Sequence, residues 1–135
     1  MALTVKEIKG VDEKLAASLK AQGIGVSDDL LARAATPAAR KGLAAALQIG
    51  TKEVLELANR ADLARISGIG GVFSDLLEQA GVDTVKELAA RRADNLRTKL
   101  VEVNTASQLA GRLPTEAQVA DWIAQAKALP RLLQY

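Results

Sequence analysis

The stretch Ile66-Ser67-Gly68-Ile69-Gly70-Gly71 has residue types and spacing suited to holding an anion on main-chain N–H groups. Glycines two apart allow a tight turn with positive φ, and the apolar residue between them plugs the gap between two helices. A helical pattern at residues 72–80 follows at once and stops at Gly81. Its N-terminus adds unpaired amides and the positive end of a helix dipole, an arrangement that suits phosphate. Cations are missing nearby, because residues 66–81 hold two acids, Asp75 and Glu78, and no base.

An earlier stretch has the opposite balance. Ile8-Lys9-Gly10-Val11-Asp12 opens an ungapped match of residues 8–33 to residues 66–91, at an offset of 58 (66 − 8). Identities fall at Ile8/Ile66, Gly10/Gly68, Leu19/Leu77, Gly23/Gly81, Leu30/Leu88, Ala32/Ala90 and Arg33/Arg91. Matched glycines at both ends of a helical pattern mark an internal duplication. The first copy supplies Lys9, Lys14 and Lys20, yet places Asp12 where Gly70 stands and Glu13 beside it. An acid at that turn repels phosphate. Closing a hairpin ahead of a helix, Gly70 is expected to need a backbone conformation denied to residues with a β-carbon, and Asp12 to be tolerated because Asp visits that region more readily than most.

Both stretches resemble the helix-hairpin-helix motif, an apolar residue, a spacer, Gly-apolar-Gly and an amphipathic helix. In that superfamily the hairpin amides and the following helix N-terminus hold a nucleic-acid phosphate. The whole arrangement is similar to a family of small bacterial proteins of undetermined function that carry this duplication and a Trp-bearing last helix. The resemblance implies an all-α fold of two tandem helix-hairpin-helix repeats packed as one unit, the first at residues 1–60 and the second at residues 61–135. It also implies the candidate contacts Gly68, Ile69, Gly70 and Gly71, joined by Lys9, Gly10, Lys14, Arg91 and Arg92.

The rest of the sequence agrees with a helical scaffold. Hydrophobic residues make up 49% and charged residues 25% of the 135, which suits a packed domain rather than a disordered chain. Aromatics are only 2%, so Ala and Leu must build the core through closely approaching helices. No apolar/polar alternation of strand length occurs. Phe73 and Trp122 read as core. Helix starts are expected at Ser27, Thr36-Pro37, Thr51, Thr84 with Glu87, Asp94, and Thr115 with Gln118; acids at Asp28 and Asp29 suit a helix N-terminus, and Gly50 is read as a helix end. The helix at residues 51–63 is expected to join the copies, residues 105–112 read as an insertion, and residues 131–135 are apolar enough to dock on the body.

Two further stretches invite a DNA reading. Residues 43–54 resemble a helix-turn-helix, with Ala44, Ile49 and Val54 at its core positions. However, Gln48 stands where that family commonly has Gly, and Glu53 and Glu56 would face a phosphate-lined groove. Ordinary helix packing is the plainer expectation. Arg91, Arg92, Arg97 and Lys99 gather in the second copy, and Arg33, Arg40 and Lys41 in the first; interspersed Glu87, Asp94 and Glu102 make these stretches read as a solvated, ion-paired face.

The absence of Cys and His removes disulfides, thiolate and imidazole metal sites, Cys nucleophiles and the Ser-His-Asp arrangement. No paired carboxylates and no glycine loop followed by Lys stand out, so no enzyme and no cofactor are expected. The opening residues Met1-Ala2-Leu3-Thr4 lack a signal pattern, no run approaches a membrane span, and a cytoplasmic protein is the default expectation. With a net charge of +2, nucleic acid would be held weakly and without sequence preference. The functional expectation is a noncatalytic binding or scaffolding module; the alternative is a protein-interaction or self-association module. The oligomeric state is left open.

Overall fold

Asp12 and Gly70, aligned in sequence, each stand immediately before a nine-residue helix in a computed structural model that describes residues 3–108 and 110–135. Met1, Ala2 and Leu109, within the opening and inserted stretches considered above, lie outside the described residues. After a single 3₁₀ turn at Val5–Glu7 come α1 (Glu13–Ala21), α2 (Ser27–Arg33), α3 (Pro37–Leu47) and α4 (Thr51–Leu63). Then follow α5 (Gly71–Gln79), α6 (Val85–Ala89), α7 (Ala93–Ser107) and α8 (Glu116–Ala128). Among the described residues there is no strand; one isolated antiparallel bridge joins Thr4 to Val26.

Local chemistry accounts for these boundaries. Thr36 accepts from the Ala39 N–H at 3.1 Å with Pro37 at the first helical position, and Thr84 accepts from the Glu87 N–H at 3.1 Å. Thr115 and Gln118 form a reciprocal capping box, at 3.1 and 2.8 Å. Gly23 (φ +79°) and Gly81 (φ +91°) end α1 and α5 with the same pattern: the Ile24 and Val82 N–H groups reach back to the Leu19 and Leu77 carbonyls at 2.9 and 2.8 Å.

Several expected caps are corrected. Ser27 is buried inside α2, and its hydroxyl accepts from the Leu3 N–H at 2.9 Å; Asp29 does the capping work instead, accepting from Gly25 and Val26 at 3.2 and 3.3 Å. Gln48, not Gly50, turns α3 off in the left-handed region (φ 58°), and Gly50 is the extended residue before α4. Thr51 and Asp94 fall inside the first turns of α4 and α7, whose preceding residues Gly50 and Arg92 make no side-chain cap.

The elements repeat in register. The bounds of α5 are those of α1 moved by 58, and α6 starts 58 residues after α2. The bounds of α8 are those of α4 moved by 65 (116 − 51), so Val54/Val119, Leu57/Trp122, Ala58/Ile123 and Ala61/Ala126 take matching buried places. Helix α4, read as a connector, packs in the first core through Val54, Leu57, Ala58 and Ala61 and reaches the second at Leu63, and α8 has the same length. Of the extra seven residues (65 − 58), two lengthen the end of α7 and five lie between α7 and α8, where Asn104 clamps Ala110 through its Nδ2 and Oδ1, at 3.0 and 2.8 Å.

Two apolar cores result. One gathers side chains from Val5 to Ala61, and the other gathers them from Leu63 to Ala126, so α4 ends inside the second core. Leu133 returns into the first core and the Gln134 N–H donates to the Ala35 carbonyl at 2.8 Å, so residues 131–135 dock on the body.

Candidate anion-binding cleft between the hairpins

The second hairpin is held by α8. Ile66 and Ile69 are fully buried, the Ile69 N–H closes on the Ile66 carbonyl at 3.2 Å, and Gly68 between them has φ +98°. A β-carbon on Gly68 would lie 2.9 Å from Nε1 of Trp122, whose ring packs on Phe73 at 5.3 Å between centroids. Gln125 clamps the spacer: its Oε1 accepts from the Ser67 N–H at 2.8 Å and its Nε2 donates to the Ser67 carbonyl at 3.2 Å. Trp122 is buried as expected and Phe73 is packed against the same core while partly exposed.

Gly70 corrects the sequence expectation. Its φ of −99° and ψ of −165° are extended angles that any residue adopts, and Asp12 likewise has φ −88° and ψ 180°. The left-handed turn sits two residues earlier in both hairpins, at Gly68 and at Gly10 (φ +97°). What a side chain at the later position changes is the helix start. In the first hairpin the Asp12 carboxylate accepts from the Leu15 N–H at 2.8 Å, so a built-in anion already occupies the N-terminus of α1. At the second, Gly70 offers no side chain, and the amides at residues 70–73 donate to no described group.

These free amides lie against the first half of the chain. A β-carbon on Gly71 would collide with the main-chain carbonyl of Glu7, so the 3₁₀ turn and the start of α5 meet at closest approach. A shallow cleft of roughly 360 Å³ there is lined by Glu7, Lys9, Gly71, Val72 and Asp75. It places Lys9, a cation of the first hairpin, beside the amides of the second. Lys9 is exposed and in no ion pair among the described residues.

The acids of the cleft are only partly neutralised. Arg60 on α4 pairs with Asp75 at 3.0 Å and with Glu78, whose carboxyl burial pushes above its ordinary range against the pull of Arg60. The Glu7 carboxylate accepts from the Thr4 hydroxyl at 3.1 Å. Lys9 and the uncapped start of α5 at Gly71 and Val72, with acids close by, can hold a phosphate loosely.

The remaining candidate residues are dispersed. Lys14 lines a separate cleft with Gly10, Asp12 and Gln48. Arg91 and Arg92 follow α6, where Arg92 pairs with Asp94 at 3.0 Å on the surface, and no described cleft joins them to Gly68. The first-copy basic patch does not form as read: Arg33 Nη1 donates to the Gln22 carbonyl at 2.7 Å, and Arg40 is 3% exposed, donating to the Ala34 and Gln134 carbonyls at 2.8 and 2.6 Å. In the second copy Arg97 donates to the Pro114 carbonyl at 3.1 Å. The helix-turn-helix stretch is the α3–α4 junction, with Ala44 and Val54 buried in the first core.

Sequence reasoning missed Glu7 and Gln125, whose places depend on contacts between distant segments. It also missed Asp62, which is 4% exposed, accepts from Arg65 Nε at 2.9 Å and from the Val85 N–H at 3.1 Å, and so ties α4 to the start of α6.

A family model described as a domain of unknown function (DUF4332) matches residues 9–129. The chain belongs to that family. The matched span includes the eight described helices and, of the residues lining the cleft, Lys9, Gly71, Val72 and Asp75, while Glu7 lies just before it. No curated protein and no solved structure gives a match. No helix is long and apolar enough to cross a membrane among the described residues.

Proposed function

We propose that this member of the family is a noncatalytic binding module of the tandem helix-hairpin-helix type, which touches nucleic acid weakly, through phosphates and without sequence preference. The observation that supports this reading is the cleft lined by Gly71 and Val72, at the uncapped start of α5, together with Lys9 from the other hairpin. Each half lacks what the other contributes. Gly68 and Ile69 shape the turn and Gly71 presents its amide, whereas Gly10 shapes the turn that carries Lys9; Lys14, Arg91 and Arg92 are outlying cations that a flexible backbone reaches in addition. Glu7 and Asp75 keep the contact weak, since each opposes phosphate at short range.

The protein-interaction alternative draws less support. Val72, Leu132 and Tyr135 are the exposed large apolar side chains among the described residues, and they do not form one broad face: Val72 lies at the cleft and the other two at residues 132–135. Contiguous apolar area is what marks such a surface.

The test is a fluorescence-anisotropy titration of labelled duplex and single-stranded oligonucleotides at low salt with the intact chain and with Lys9→Glu. The reading expects similar affinity for unrelated sequences and a loss of about tenfold in the variant, the scale of one charge reversal worth about 1.4 kcal/mol. Equal binding by the two proteins would remove the cleft from the account.

A further inference from the structure

A second hollow, sharing no lining residue with the cleft between the hairpins, lies where α6, α8 and the extended tail meet. Its origin is the divergence of two leucines. Leu129 stays packed on the second core while Leu133 is buried in the first, so residues 130–132 bridge the gap between the cores. The bridge is pinned at both ends: the Pro130 carbonyl accepts from Arg65 Nη1 at 2.8 Å, and the Gln134 carbonyl accepts from the buried Arg40 at 2.6 Å. A chain held in this way cannot collapse onto α6 and α8. What stays open is a cavity of roughly 220 Å³, a space that close-packed interiors rarely leave.

The wall is mostly apolar, with Val85, Ala126, Leu129, Pro130 and Leu133 joined by the ring of Tyr135. Four charged side chains also line it, and two of them cancel. Asp62 and Arg65 pair at 2.6 Å in a largely buried place. Lys86 and Arg131 are left over, both exposed and in no ion pair among the described residues. Arg131 donates from Nε to the Leu133 carbonyl at 3.1 Å and lies 5.8 Å from the centre of the Tyr135 ring, which leaves its two Nη groups for an acceptor. Asp83 and Glu87, the acids nearest Lys86 in the chain, are hydrogen-bonded to each other and line no part of the cavity.

We propose that this cavity binds a small apolar monocarboxylate of about the size of benzoate, its hydrocarbon body against Val85, Ala126 and Leu129 and its carboxylate at the rim on Lys86 and Arg131. Size and charge select this class together. An apolar cavity of about 150 Å³ takes benzene, so roughly 220 Å³ has room for the ring and its carboxylate. An apolar wall with a few polar groups at one edge is how small-molecule sites are built. A bare phosphate would lose hydration against such a wall with too little in return. The two unpaired cations give an acid an advantage over the neutral alcohol of the same shape, since a charge-assisted hydrogen bond is about twice as strong as a neutral one. Acetate, in turn, has too little apolar surface to use the wall.

The test is a titration of the ¹⁵N-labelled intact chain with sodium benzoate at constant ionic strength, followed through the amide resonances of Val85, Lys86, Ala126 and Leu133. The expected result is saturating shifts at these amides with Kd on the order of 1 mM, within reach of so small a ligand. Benzyl alcohol and acetate should each bind at least about fivefold more weakly. Lys86→Gln removes a rim cation and Leu132→Asp adds a rim anion, both at exposed positions where folding is not at stake, and circular dichroism establishes that each variant is folded. Each should weaken benzoate by about three- to tenfold and leave benzyl alcohol unchanged. Lys9→Glu, at the other cleft, should leave benzoate binding as it is. Benzyl alcohol bound as tightly as benzoate, shifts that do not saturate or that lie away from these residues, or benzoate affinity unchanged in either rim variant would each overturn the proposal.

Discussion

Replacing Gly68 and Gly70 by Ala, one at a time, separates two accounts of the second hairpin. Gly68 has φ +98°, so an L side chain there incurs the left-handed penalty, about 1–2 kcal/mol. The new β-carbon also lies 2.9 Å from the indole of Trp122, which is packed on Phe73 and cannot swing aside freely. Overpacking of that kind adds about 1–2 kcal/mol, for a total near 2–4 kcal/mol. At Gly70 the angles are extended and nothing lies within 4 Å of a β-carbon. The lost glycine cap and the gain from a stiffer unfolded chain oppose each other there, leaving a change within about 1 kcal/mol. Urea unfolding followed by circular dichroism and by Trp122 fluorescence measures both. At roughly 3–5 °C per kcal/mol for a chain of this size, Gly68→Ala should lower Tm by about 6–20 °C. A larger loss from Gly70→Ala than from Gly68→Ala would refute the reasoning and restore Gly70 as the strained residue.

Asp62→Ala should cost about 3–5 kcal/mol in the same assay, because it strands Arg65 and the Val85 N–H in a buried place; loss of less than about 1 kcal/mol would show that water replaces the carboxylate. Glu87 gives a pH test: the Asp83 carboxyl, hydrogen-bonded to it, pushes its carboxyl from 4.5 up to about 7. The folded state therefore binds more protons than the unfolded state between these values, so this group's contribution to stability is full below pH 4.5 and falls as pH rises to about 7. Glu87→Gln should flatten the thermal stability profile over that window, and an unchanged profile would place the origin elsewhere.

Much of the helical plan is legible in the sequence, because glycines, capping residues and apolar spacing act locally. Gly23 and Gly81 stop their helices where the spacing puts them, and Thr36-Pro37 and Thr115 with Gln118 start theirs. The offset of 58 could be read from identities, but the offset of 65 between α4 and α8 was hidden because Leu57 and Trp122 share burial and not residue type. The positive φ lies at Gly68 and not at Gly70, because Gly-apolar-Gly marks a turn without saying which glycine carries the strain. Arg40 reads as a surface cation in sequence because nothing next to it shows that Ala34 and Gln134 supply its acceptors. The cleft itself depends on Glu7 and Gly71, which are 64 residues apart (71 − 7), meeting through the packing of the two halves. No local pattern encodes that contact.

The most direct measurement is the salt dependence of binding to a mixed-sequence duplex, titrated with the intact chain between about 20 and 200 mM salt. A contact built from the uncapped start of α5, Lys9 and a few outlying cations neutralises roughly 2–4 phosphates, so log K against log salt should have a slope near −2 to −4, with Kd on the order of 10⁻⁴ M at physiological salt. No binding at the lowest salt, or a tight complex indifferent to salt, would contradict it.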